Sequence, residues 1–180
     1  MKLKYKLRSA WEEFKLRTRM LKAGVSRPFQ PGGTVFPTGR LYATHIRDGV
    51  ATELGLVSTK VVTDAGVAYL NGAFQGTGNL ASNFKYHASG TGSTAESAGQ
   101  TALVTEVASR ATGSQTNNGA NIYRTVGTVS YSASFAIVEH GIFSASSVGT
   151  MLDRSLFSAI NVISGDSIAF TYDLTLPSGG

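Results

Sequence analysis

His45, His87 and His140 are the residues that could act as general bases or metal ligands. They lie far apart in the chain, and no pair has the spacing of a metal site. Satisfied or exposed histidines are therefore expected. Glu139 and His140 are adjacent, and the period of a strand sends them to opposite faces, which argues against a dyad between them. With 20 serines, some Ser–His–Asp combination can always be written, so none carries information. Asp153 and Arg154 sit between Leu152 and Leu156. They read as an ion pair on a turn or edge strand, worth at most about 1 kcal/mol, or as a contact to a neighbouring subunit. Asp166, after Gly165, reads as a turn residue.

Two strings match a Gly-x-Gly-x-x-Ala dinucleotide fingerprint: Gly76, Gly78 and Ala81, then Gly90, Gly92 and Ala95. The fingerprint has meaning only between a strand and a helix. The first string follows a helical pattern. The second opens a loop in which Glu96 would repel a pyrophosphate. No lysine follows either cluster as a P-loop requires. Cysteine is absent, which removes disulfides, thiolate metal sites and thiol nucleophiles. Nothing assembles a nucleophile, a base and an oxyanion donor. The expectation is a non-enzyme with no cofactor and no metal.

The elements that would position these residues are short strands. Glycine, serine and threonine number 21, 20 and 19, and only 15% of residues are charged. That mixture disfavours helical bundles and coiled coils and suits strands joined by many turns. The net charge of +5 is unevenly spread: residues 1–27 carry +7 and residues 28–180 carry −2. The chain reads as a basic arm (1–27), a Pro/Gly linker (28–39) and a β body (40–180). It lacks an apolar run long enough to span a bilayer, and no secretory leader is visible.

In the arm, Ser9 and Glu12 have the spacing of a capping box, and a helix is expected over about 10–22. Trp11, Phe14 and Leu21 share one face, and Lys15, Arg19 and Lys22 another. Before it, Leu3, Tyr5 and Leu7 alternate with basic residues, which suits either a strand or a continuation of the helical stripe. An isolated helix of this length is marginal in water, so its aromatic face needs a surface. That surface is either the body itself or an acidic partner, with nucleic acid or an anionic membrane less favoured. Pro28, Pro31 and Pro37, with Gly32, Gly33 and Gly39, mark an extended linker.

In the body, strands are expected over 41–46, 54–62, 84–87, 121–131, 134–143, 151–158 and 167–176. Thr63 caps a short helix from Asp64 to about Phe74, with Val67, Leu70 and Phe74 on one face. Residues 89–100 and 111–120 read as polar loops, and 102–107 as a helical turn or a short strand. The fold expected is mainly all-β: an antiparallel β-sandwich or jelly-roll-like body with one short helix, plus the basic helical arm.

The C-terminal half contains Glu139-His140-Gly141-Ile142-Phe143, Leu152-Asp153-Arg154-Ser155-Leu156-Phe157, Gly165-Asp166-Ser167-Ile168 and Tyr172-Asp173-Leu174-Thr175-Leu176. With Lys85-Tyr86-His87 and Gly90-Thr91-Gly92, residues 54–180 resemble small virion structural proteins of tailed bacteriophages, the head-decoration (cement) and fibre proteins. The resemblance implies a virion protein assembled in the host cytoplasm, with no catalytic residues to carry over. It implies a homo-oligomer, often a trimer in such proteins, bound to major capsid protein or other virion proteins. In that setting Trp11, Phe14 and Leu21 would bury in a partner groove while Lys15, Arg19 and Lys22 meet acidic surface. A tail or head fibre module contacting a receptor through the 89–100 and 111–120 loops is the alternative. An internal nucleic-acid-binding protein is a second one, against which the nearly neutral body argues.

Overall fold

A computed structural model describes residues 37–59, 61–75, 84–119 and 121–176. The expected arm, with Trp11, Phe14, Lys15, Arg19, Leu21 and Lys22, and the string Gly76–Ala81 lie outside these residues. Ten strands and a helix are described in chain order: β1 (Thr38–Arg47), β2 (Val50–Ser58), β3 (Val61–Val62), α1 (Asp64–Phe74), β4 (Tyr86–Gly90), β5 (Glu106–Thr112), β6 (Ser114–Asn117), β7 (Ile122–Ser130), β8 (Phe135–Phe143), β9 (Met151–Val162) and β10 (Ser167–Thr175). They form two five-stranded antiparallel sheets, β2-β1-β10-β7-β6 and β3-β9-β8-β4-β5. The body is an all-β sandwich. At one side the chain passes from β2 in the first sheet to β3 in the second. At the other it passes from β5 through Gly113 to β6.

Alternation builds the core. Ile168, Phe170, Tyr172 and Leu174 of β10 point inward beside Leu41 and Ala43 of β1, and meet Ile137 and Ile142 of β8 and Ile160 and Val162 of β9. A smaller cluster of Ala88, Leu103, Phe143 and Met151 lies on the outer face of the second sheet. That sheet is therefore covered on both faces. Residues Met151–Ser155 of β9 are all buried, with no alternation to read.

Most expected strands appear, with shifted ends. β1 begins at Thr38, inside the segment read as linker. Gly39 belongs there because a side chain on it would run into the carboxyl of Asp153. The expected 111–120 loop instead holds the end of β5 and all of β6, whose polar residues sit on an exposed edge. Thr63 does cap α1: its hydroxyl accepts the Gly66 N–H at 3.0 Å and donates to the Met151 carbonyl at 2.5 Å. The face of α1 differs from the expected stripe, since Val67 is 46% exposed while Tyr69 and Leu70 pack on the core. Gly66 explains the rotation. A Cβ there would lie 2.7 Å from the Leu152 carbonyl oxygen and 2.8 Å from its Cα, so the helix backbone approaches β9 on that side.

Candidate functional site

The outer face of the second sheet holds a buried ion pair. Glu139 (β8) and Arg154 (β9) are both fully buried, and one carboxylate oxygen accepts from Arg154 Nε at 2.9 Å and Nη2 at 2.8 Å. Glu139 also accepts the backbone N–H groups of Gly92, Val104 and Thr105 at 3.0, 3.1 and 2.8 Å. Arg154 donates to the Thr94 carbonyl and the Gln100 side chain at 2.9 and 3.0 Å. The pair thus fastens the 91–105 connection onto the sheet. Gly90 and Gly92 have their reason here: a side chain at either would strike the Glu139 carboxylate. The Gly-x-Gly spacing makes room for a carboxylate of the chain itself, and Glu96 accepts the Leu156 N–H at 2.5 Å.

The reading of Asp153 and Arg154 as an exposed pair is thereby corrected. They are 1% and 0% exposed and point to opposite faces of β9. Asp153 faces the core, where its carboxyl accepts from Ser155 Oγ at 3.0 Å and Tyr172 OH at 3.2 Å. Burial pushes this carboxyl up to about 7.

His87 and His140, 53 residues apart, meet in the core. His87 Nδ1 lies 3.1 Å from His140 Nε2, and His87 Nε2 lies 3.2 Å from Thr125 Oγ1 on β7. His140 Nδ1 has no partner among the described residues, so the expectation of a satisfied histidine fails at that atom. Burial lowers both histidines, His87 to about 3 and His140 well below its ordinary value. His45 stands apart at the end of the sandwich, 2.9 Å from Asp166, which Arg47 also grips at 2.6–3.0 Å. Asp166 is a turn residue as expected, accepting the Ile163 N–H at 3.0 Å, but it is also buried. The Arg47 guanidinium holds its carboxyl well below the usual carboxylate range. Among the described residues no group of three His, Asp or Glu is placed to hold a metal ion. No described helix is long and apolar enough to cross a membrane.

Two surfaces are open to a partner. The outward face of the first sheet runs in rows set by the register: Leu56–Tyr42–Thr171–Val126–Ser114, Glu53–Thr44–Ala169–Thr128, and Arg40–Asp173–Arg124–Thr116. Arg124 is paired to Asp173 at 2.6 Å, and Glu53 accepts a hydrogen bond from the Thr44 hydroxyl at 2.8 Å. Edge strand β2 exposes Val50, Leu54 and Leu56.

The second surface is the β8–β9 connection. Val148 at its tip is 86% exposed and has φ 56°, a left-handed value that a β-branched side chain resists. Arg110 holds it, donating to the Val148 and Ala145 carbonyls at 2.6 and 3.1 Å while stacking 3.5 Å over the Phe143 ring and pairing with Glu106 at 2.7 Å. Val148→Asn, which tolerates this φ, is expected to raise the unfolding free energy by about 1 kcal/mol in urea titration. An unchanged or lower value would mean that the valine is not strained.

Neither surface carries a histidine-based site, and the sequence had no means to find them, since they come from sheet register and one backbone angle. Compared with known proteins, the chain matches no family model, no curated protein and no solved structure.

Proposed function

We propose that this chain is a structural protein of a tailed-bacteriophage virion, most specifically a capsid decoration protein that binds the major capsid protein as a homo-oligomer and stabilises the head. The observation that carries the reading is the outward face of the first sheet, where Thr, Ser and Ala side chains alternate with a few larger ones and Arg124 is paired to Asp173. Such a face associates through shape and apolar contact with few charges to desolvate. The buried ion pair that fastens the 91–105 connection fits a protein selected for durability rather than motion. The sequence resemblance supplies the virion setting. The basic arm supplies a tether whose aromatic side would anchor in a capsid groove.

Deletion of residues 1–27 tests the arm. The shortened protein is expected to keep the circular dichroism of the body and to lose capsid binding in co-sedimentation. Equal binding by the shortened and full chains would refute the arm's role. The rigidly held, exposed Val148 favours a second reading, a fibre module that touches a receptor through its loops. Copy number separates the two: on the order of hundreds per particle for a decoration protein, and a few to tens for a tail fibre.

A further inference from the structure

We propose that His87 and His140 form an acid-sensitive latch, which holds β4 and β8 of one sheet against β7 of the other and opens that side of the sandwich when the pH falls. The first ground is the proton count. Between two facing imidazole nitrogens one must donate and the other accept. If His140 Nε2–H donates to His87 Nδ1, then His87 Nε2–H donates to Thr125 Oγ1 and the atom left over is a bare lone pair on His140 Nδ1. The reverse order would strand a buried N–H, which costs more. The arrangement therefore selects the Nε2–H tautomer at both rings. It also has no place for another proton. On His140 Nδ1 a proton would have no acceptor; on His87 Nδ1 it would face the His140 N–H.

The second ground is enclosure. A Cβ at Gly127 would lie 2.5 Å from His87 Cδ2, and one at Gly113 would lie 2.8 Å from His87 Nε2 and 2.5 Å from Thr125 Oγ1. On the far side the Phe170 ring sits 4.5 Å from that of His140. His87 is thus packed directly against the β7 backbone and His140 against the Phe170 ring.

The third ground is what faces the pair from each strand packed around it. β7 presents Thr125 and Gly127, and β10 presents Phe170 and Tyr172. β9 presents Ser155, opposite His140, and Asp153, whose oxygens are taken by Ser155 and Tyr172. β4 presents Ser89, bonded to Tyr131 at 3.0 Å. Glu139 is on the reverse face, committed to Arg154, and Asp166 at the far end is committed to Arg47 and His45. Among the described residues no carboxyl is hydrogen-bonded to either imidazole, so protonation of both adds two like charges 3.1 Å apart at their nearest nitrogens.

The direction follows by linkage. In the unfolded or opened chain the histidines titrate near 6.5, whereas burial holds His87 at about 3 and His140 well below its ordinary value. Below pH 6.5 the open form binds protons that the closed form cannot, so closure weakens steadily as the pH falls. The latch lies beside Gly113, where the chain crosses between the sheets and its N–H reaches the Lys85 carbonyl at 2.7 Å. The strands released first are therefore β5, β6 and β7.

Two measurements on the full-length protein test this. Imidazole nitrogen NMR is expected to show both rings as neutral Nε2–H tautomers at pH 7.5, with neither titrating until the fold opens. Amide hydrogen exchange, corrected for intrinsic rates, is expected to lose at least tenfold more protection in β5, β6 and β7 than in β1, which is paired to β2 and β10, between pH 7.5 and 4.5. Titration of either ring near 6.5 within the closed protein overturns the latch, as does protection that falls evenly over all strands. A His87→Gln/His140→Phe variant should shift the acid midpoint of opening to lower pH by one unit or more. The His45→Gln control should leave the exchange pattern of β5–β7 as it is.

Discussion

Arg154→Met is expected to lower the unfolding free energy by about 3–5 kcal/mol, the usual cost of removing one partner from a fully buried ion pair. Glu139 would keep its three backbone donors but lose both guanidinium contacts, leaving a carboxylate in an interior with no counter-charge. Glu139→Ala should cost at least as much, because it strands the Arg154 charge and the N–H groups of Gly92, Val104 and Thr105 together. Glu139→Gln should cost less than Glu139→Ala, since its amide oxygen can still accept from Gly92 and Thr105, while its amide nitrogen is left facing the Val104 N–H and the guanidinium. In some proteins an apolar replacement of both partners recovers what a single change loses. Here the double variant Glu139→Leu/Arg154→Met should stay well below the parent, because the 91–105 connection would still lose its anchors. Urea titration of the four variants gives the order. Near-complete recovery in the double variant, or losses under 1 kcal/mol in the singles, would show that the pair is not what holds this connection.

That pair also marks where the sequence stops being legible. β10 could be read directly, because Phe170, Tyr172 and Leu174 face the core and the first sheet's outer surface stays partly open. Thr63 before α1 was equally readable, since a cap is a local interaction. β9 was not. Its first five residues are buried on both faces, so Asp153 and Arg154 had no polar side to belong to and resembled a turn. Their partners arrive from elsewhere: Glu139 across the β8–β9 hairpin, Thr94 and Gln100 from the preceding connection, and Tyr172 from the other sheet. The histidine pair is hidden for the same reason, because β4 and β8 are neighbours in space but not in sequence. The start of β2, by contrast, has a local mark. Asp48-Gly49 forms the β1–β2 turn with φ 51° and 77°, the dipeptide that favours a two-residue hairpin, and it would have started β2 at Val50 instead of Leu54.

Asp153→Asn is expected to become steadily more favourable to stability, relative to the parent, as the pH rises. The group's ordinary value is 3.8, and burial raises it to about 7. Below 3.8 the folded and unfolded chains both hold the proton, and the carboxyl imposes no penalty. As the pH rises the unfolded chain releases it first, so stability drains away until the folded carboxyl also ionises near 7. At about 1.4 kcal/mol per pH unit, the loss over that window is on the order of 4 kcal/mol. Asparagine does not titrate and escapes it. The gap between variant and parent should therefore move by about 4 kcal/mol in the variant's favour from pH 4 to pH 7.5, whatever the fixed cost of refitting an amide against Ser155, Tyr172 and Gly39. The two core histidines act with the opposite sign over nearly the same range, since burial lowers them. In the parent chain the carboxyl masks part of their acid response, and removing it should leave the variant more sensitive to acid. Urea midpoints for both proteins at pH 4, 5.5 and 7.5 decide the matter. A gap that stays flat across the three would mean that Asp153 is ionised throughout, with a charge in the core that Ser155 and Tyr172 alone sustain.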